Sequence, residues 1–455
     1  MTTAPGGPPT LGVKPPEPAV SPPSVRGAEA SLVRAMGTWA LAAGIVNVTI
    51  GAGIFRLPSA VATSLGAAAP LAYLVCAVAM VLIVICFASA GSRVSLTGGV
   101  YAYVEVAFGP LAGWVTGALL WVGLTAALAA VTTFLMDSLA ALIPVLSGPA
   151  ARAVAMVVIV GALAGLNVRG VQGASRFNTV VTLAKLLPLL LLVVVGAFAV
   201  RPANLTVTQA PGALTVARAS LTLIFAFLGV EAALVPSGEV RDPARTVPRA
   251  VFTAIAVIAV VYLAIQVVAQ GVLGPSLAGQ RTPLAEAGAV ALGGWGRTLI
   301  LVGSAVSMFG YVSGMTLATP RMLFAFARDG FLPSPLARVH PRFRTPDVAI
   351  WTQTIVVLAL AISGGFEKLA IIANGAVLLV YVGCVLAAMQ LRRKDVRADG
   401  VPFNVPGVGI APPLALIVIA FMLSTLTKPE WLWMLVAIAA ALVLYLVRRA
   451  RTSAT

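Results

Sequence analysis

The sequence predicts an all-α integral membrane protein: twelve transmembrane helices in a five-plus-five inverted repeat followed by a final pair, with helices 1 and 6 broken. Three observations carry this. Of 455 residues, 60% are hydrophobic and only 10% charged, with a mean hydropathy of +1.02. A bilayer span takes about 20 apolar residues, so the chain has room for about twelve. Two of the apolar stretches read as interrupted, one at Gly51-Ala52-Gly53 and one at Gly229 beside Glu231, and interrupted backbone at membrane depth is tolerated only where it lines a cavity. These two stretches are the first and the sixth, at corresponding places in two sets of five, which is the sequence mark of inverted repeats around a central site.

The same composition excludes other classes. A net charge of +16 would point to nucleic acid in a soluble protein. Here the positive-inside rule explains it, so the expected partner is the lipid bilayer and not nucleic acid. Cys76, Cys86 and Cys384 lie in apolar runs without metal-ligand spacing, and His340 is the only histidine. A membrane hydrolase or metal enzyme needs a nucleophile–base pair or a ligand cluster. The residues offer neither, so no enzyme, metal or cofactor is expected.

Residues 1 to about 30 are rich in proline, glycine and alanine; such a composition buries no core and reads as a disordered cytoplasmic tail. No secretory signal pattern precedes the first span. The first five-helix repeat is expected over 31–200, the second over 201–393, and helices 11 and 12 with the C-terminal tail over 394–455.

Helix 1, at 37–64, contains IVNVTIGAGIFRLPSAVATS. Each glycine of Gly51-Ala52-Gly53 costs about 1 kcal/mol of helix stability against alanine. A break follows, with the second half starting near Gly53. The freed amides of that half-helix carry partial positive charge and suit a carboxylate. Close packing of two backbones is the alternative reading of the same glycines. Helix 2 is expected at 68–90, and a polar connector, SLTGGVYAYVEVAFGP, leads to helix 3 at 111–143. Helices 4 and 5 follow at 151–168 and 174–200. Helix 6, at 214–238, is interrupted around FAFLGVE (225–231), where Gly229 stands between Phe227 and Glu231. Helices 7 to 12 are expected at 248–273, 297–327, 347–363, 367–391, 408–426 and 430–448.

An even number of spans puts both termini on one side. About 21 lysines and arginines fall on that side against about 8 on the other, which makes both termini cytoplasmic in a multi-pass protein of the cytoplasmic membrane. Helix 1 then runs outward and its second half presents amides at the break. Helix 6 runs inward and its first half presents carbonyls near Phe225, Ala226 and Phe227. Ends of opposite polarity suit a zwitterion with both charges on one carbon, an α-amino acid.

Several stretches, in this order, are similar to the signatures of the amino acid–polyamine–organocation (APC) superfamily of permeases. They are GAGIF at 51–55, FAFLGVE at 225–231, SGEVRDPARTVPRA at 237–250, RMLFAFARDGFLP at 321–333, VHPRFRTP at 339–346 and LRRKDVRADGVPFNVPG at 391–407. The resemblance covers nearly all of 35–410; Asp242 stands where the family commonly has asparagine. It implies the leucine-transporter-like inverted-repeat fold, a bundle rocking against a scaffold, and a central amino-acid site. Carried over by position, the backbone of Ile50, Gly51, Ala52 and Gly53 holds the carboxylate and that of Phe225, Ala226 and Phe227 the amine. Thr49 and Gly229 complete the expected site. Phe225 stands at the aromatic gate position; plain core packing is its alternative.

Two charges lie inside spans. Lys185 is about eleven residues into helix 5, about 16 Å deep, and a charge held there is usually functional. By the resemblance it stands where sodium-driven relatives bind a cation. It is expected to link the two halves and relay a proton, the alternative being a permanently charged strut on helix 1 carbonyls. Glu231 reads as a proton carrier or polar lock, or equally as a satisfied structural carboxylate. Asp137 is expected near the outer surface, Glu105 solvated, and Arg56 in an ordinary outer salt bridge. Val48, Thr49, Ile50, Phe225, Phe227, Ser307 and Tyr311 surround the expected site, and no acid is placed to pair with a cationic side chain. The expected function is secondary transport of neutral amino acids by alternating access, as proton-coupled uptake (symport). An obligate exchanger (antiport) and a cationic amino acid or polyamine transporter are the alternatives, with a non-transporting sensor as the other class.

Overall fold

The computed structural model describes residues 37–94, 100–169, 174–233, 240–397, 401–404 and 408–452. The expected tail at 1–30, the start of the SLTGG connector, the end of helix 6 with Pro236, and parts of the loop after helix 10 lie outside the described residues.

Among those residues the elements are helical, with no strand. In order they are α1 (Thr38–Thr49), α2 (Ala52–Leu65), α3 (Ala69–Gly91), α4 (Val100–Phe108), α5 (Pro110–Leu142), α6 (Pro149–Arg169) and α7 (Ala174–Gly196). There follow α8 (Ala213–Phe227), α9 (Val230–Ala233), α10 (Pro243–Leu273), α11 (Pro283–Leu292), α12 (Gly294–Arg328), α13 (Asp347–Ser363), α14 (Phe366–Arg393), α15 (Ala411–Leu423) and α16 (Lys428–Thr452). Among the described residues, seven helical stretches are long and apolar enough to cross a bilayer, and five shorter apolar helices accompany them.

The short helices α4 and α11 fall in segments read from the sequence as connectors. At nine and ten residues each is too brief to span a bilayer, which takes about 20. The other bounds agree with the expected spans to within about five residues, the usual scatter of helix ends.

Helix α5 is the hub. Its most apolar window is 89% buried, against 11% for α16 at the perimeter. The helices packed on α5 are α14, α12, α13, α4 and α16, while α10 lies against α3, α1 and α7, and α2 lies against α8. Outward faces are apolar and exposed, as at Val154, Val157 and Val158 on α6 and Leu435, Val436 and Val443 on α16. Apolar faces of this extent belong in lipid. The chain is therefore a multi-pass membrane protein.

Candidate functional site

Helix α1 stops at Thr49. Ile50 is extended (φ −72°, ψ 94°), Gly51 turns the chain (φ −142°, ψ −147°), and α2 begins at Ala52 without a side-chain cap. The interruption thus sits at Ile50–Gly51, one residue earlier than the glycine pair suggests, with Gly53 already inside α2. The first amides of α2 have no intrahelical partner. Helix α8 ends at Phe227, Leu228 is extended (φ −60°, ψ 139°), and Gly229 has φ +117°, a conformation that side chains other than glycine's rarely adopt. Phe225, Ala226 and Phe227 are the last residues of α8, so its final carbonyls end there.

The two interruptions touch. A Cβ on Gly53 would lie 2.6 Å from Ala226 Cα, and one on Gly229 would lie 2.7 Å from Val48 Cγ1 and 3.2 Å from the Val48 carbonyl. Each helix end thus uses a glycine to reach the other's backbone. Tyr262 of α10 seals the junction. Its buried hydroxyl is 3.0 Å from Thr49 O and 2.8 Å from Ala226 O, so one proton serves two carbonyls. Its ring meets Phe227 edge-on at 5.3 Å.

Both intramembrane charges reach these ends. Lys185 Nζ of α7 donates to Asn47 O, two residues before α1 stops, and its side chain is buried. Glu231 is fully buried; its Oε1 accepts the Gly229 N–H at 3.1 Å and its Oε2 accepts the Tyr381 hydroxyl of α14 at 2.7 Å. The carboxylate therefore ties the α8–α9 turn to α14.

A cavity of about 10 Å³, lined by Thr49, Gly51, Gly53, Phe225, Leu228 and Tyr311, lies between the interruptions; that is room for about one water. Its other walls are Val48, Ala52, Ala127 and Val131, and no charged side chain lines it. The Oγ atoms of Thr49 and Ser307 are buried and make no hydrogen bond. Phe225 packs edge-on against Phe366 (5.2 Å), which meets Phe134 (5.7 Å), closing an aromatic column over the cavity.

Of the remaining expected residues, Arg56 pairs with Glu367 at 2.5 Å and donates to Gln280 O at 3.0 Å, joining α2 to the start of α14 and to the segment before α11. Asp137 pairs with Arg152 at 2.6 Å, and Glu105 is exposed on α4. Sequence reasoning missed Tyr262, Tyr381 and Phe366. The first two are lone hydroxyls within long apolar runs, a pattern that marks a buried hydrogen bond without naming its partner.

An all-helical membrane protein with two helix ends meeting around a small uncharged cavity is the class these features define. The amino acid permease family matches residues 36–447, and the chain belongs to that family. The resemblance to the APC superfamily read from the motifs is thereby established. Over 436 residues the chain is 30% identical to a methylthioribose transporter of Bacillus subtilis (strain 168), covering 91% of this chain and 93% of the relative. It is 27% identical to a branched-chain amino acid permease of the same strain, covering 92% and 93%, and 28% identical to a serine/threonine exchanger of that strain, covering 84% and 88%. These relatives are transporters, not enzymes.

Proposed function

We propose that this chain is a secondary active transporter of amino acids that works by alternating access in the cytoplasmic membrane, with both termini cytoplasmic, and that it takes up neutral amino acids together with protons. The observation that carries the reading is the contact of the two helix ends, Gly53 on Ala226 and Gly229 on Val48. The Ile50 N–H is given to Val46 O at 2.9 Å, so the amides that open α2, from Gly51 to Gly53, hold the substrate carboxylate, and the carbonyls that close α8, at Phe225, Ala226 and Phe227, hold the ammonium. With room for about one water, the cavity admits an amino acid only when its walls part. That parting is the conformational step of transport.

Twelve spans follow if α1 with α2 counts as the first, α8 with α9 as the sixth, and the 40-residue run Ala52–Gly91 is divided at its turn around Gly66. The repeats then occupy 31–200 and 201–393, with 394–455 as the appended pair. Lys185 links the repeats through Asn47 O and, with Glu231, serves the coupled proton. Neutral selectivity is supported by the absence of charge in the cavity wall and by relatives named for branched-chain amino acids and for serine and threonine. Obligate exchange is the second reading, favoured by the likeness to the serine/threonine exchanger.

Purified protein in vesicles decides between them. Uptake of a labelled neutral amino acid into vesicles without internal substrate, driven by a pH gradient alone, supports coupled uptake. Uptake that requires internal amino acid supports exchange. A strong preference for arginine over leucine or alanine overturns neutral selectivity.

A further inference from the structure

The motif RMLFAFARDGFLP contributes little to the central site, yet it lines most of one wall of a second, larger cavity. This cavity, about 920 Å³, opens between α4, α5, α12 and α16 and shares no residue with the helix interruptions. Its floor is aromatic. Trp114 of α5 stacks on Phe331 at 3.9 Å and 7°, and Phe326 meets it edge-on at 4.9 Å. Trp114 Nε1 donates to Ala441 O at 2.7 Å, which fixes α16 against α5 and keeps the walls in place.

The rim is basic. Four guanidinium groups, of Arg321, Arg328, Arg448 and Arg449, face two carboxylates, of Glu105 and Asp329. Asp329 is taken by Arg328 at 2.9 Å, and Arg448 lies 4.0 Å over the Phe331 ring. Arg321 is half-buried and its hydrogen bond goes to Leu317 O, one turn back on its own helix. Among the described residues no carboxylate pairs with it. A guanidinium carries five donors, and holding one in a partly dry wall without an anion is unfavourable. Beside this basic mouth, the outer face of α16 is apolar and exposed at Leu442, Val443, Leu446 and Val447.

A site with an unmatched cation at one end and a lipid-facing apolar helix at the other fits an anionic amphiphile. We propose that this cavity binds an anionic phospholipid, with its phosphate on Arg321 inside the positive field of the neighbouring arginines and its acyl chains along α16. A zwitterionic headgroup carries its own cation into that field and is disfavoured there.

The test is thermal unfolding of the full-length protein in detergent with added phosphatidylglycerol, phosphatidylcholine or inorganic phosphate. Phosphatidylglycerol is expected to raise the unfolding temperature by several degrees while the other two do not. Arg321→Gln is expected to weaken the apparent affinity for phosphatidylglycerol at least tenfold. Equal stabilisation by phosphatidylcholine, equal stabilisation by inorganic phosphate, or an undiminished response in Arg321→Gln each overturns the proposal. If Arg321→Gln does not fold, dibrominated phosphatidylglycerol is used as a quencher on the wild type and on Trp114→Phe. Loss of a quenched component in Trp114→Phe supports the site, and identical quenching of the two proteins overturns it.

Discussion

Gly53 and Ala226 are in backbone contact: a Cβ on Gly53 would lie 2.6 Å from Ala226 Cα and 3.0 Å from Ala226 N. Inside a helix, glycine to alanine normally stabilises by about 1 kcal/mol, so harm at this position is steric. Gly53→Ala is expected to lower the unfolding temperature and reduce uptake at least tenfold, because α2 and α8 must shift apart. Gly44→Ala in α1, with nothing within 4 Å, is the control and should be neutral or mildly stabilising. Wild-type uptake by Gly53→Ala contradicts the contact.

Tyr262 predicts a second loss. Its hydroxyl serves Thr49 O and Ala226 O together. Tyr262→Phe keeps the ring against Phe227 but leaves two buried carbonyls without it, at a cost of about 1–3 kcal/mol. Thermal denaturation reads the stability change, and the KM for uptake should rise because the end of α1 is no longer fixed against the end of α8. An unchanged unfolding temperature contradicts this role.

Lys185 carries the coupling claim. Lys185→Ala removes the donor to Asn47 O and is expected to abolish accumulation driven by a pH gradient. Uptake measured across a pH series should lose its pH dependence. Residual uptake by Lys185→Ala with an unchanged pH profile rules out a proton role and leaves the lysine as a strut.

Glu231 separates structure from titration. Glu231→Ala strands the buried Gly229 N–H and Tyr381 hydroxyl, and each unmet group costs about 1–3 kcal/mol. Glu231→Gln retains an acceptor for Gly229, and the Tyr381 hydroxyl is free to turn and accept from the amide, so it should cost far less. Unfolding temperatures of the two variants compare them directly; equal destabilisation contradicts the hydrogen-bonded arrangement.

Arg56 and Glu367 form a short ion pair, but the Glu367 side chain is 49% exposed. Pairs of this kind contribute about 0–1 kcal/mol. A double-mutant cycle of Arg56→Ala and Glu367→Ala should give a coupling energy within that range that shrinks with added salt. A larger, salt-insensitive coupling contradicts the assignment as an ordinary outer salt bridge.

Most spans were legible because a bilayer demands length and hydropathy, which a sequence displays directly. The first interruption was legible through Gly51 and Gly53, and the second through Gly229 beside the charge of Glu231. The finer placement was not. Which peptide leaves the helix depends on tertiary packing, and Gly53 is helical where it packs on Ala226. Tyr262 and Tyr381 were not legible as site residues, since their partners Thr49, Ala226 and Glu231 are distant in sequence and only tertiary packing joins them. Helix α4 was hidden by its polar connector and α11 by its ten-residue length.

The central claim is that the helix ends at Gly51–Gly53 and Phe225–Phe227 recognise both charges of one amino acid. Competition in proteoliposomes tests it most directly, using the best neutral substrate, its carboxamide and its N-acetyl derivative against labelled substrate. The account predicts strong competition by the intact amino acid and at least tenfold weaker competition by each derivative, since each lacks one charge. Equal competition by either derivative would mean that the corresponding helix end does not bind the substrate.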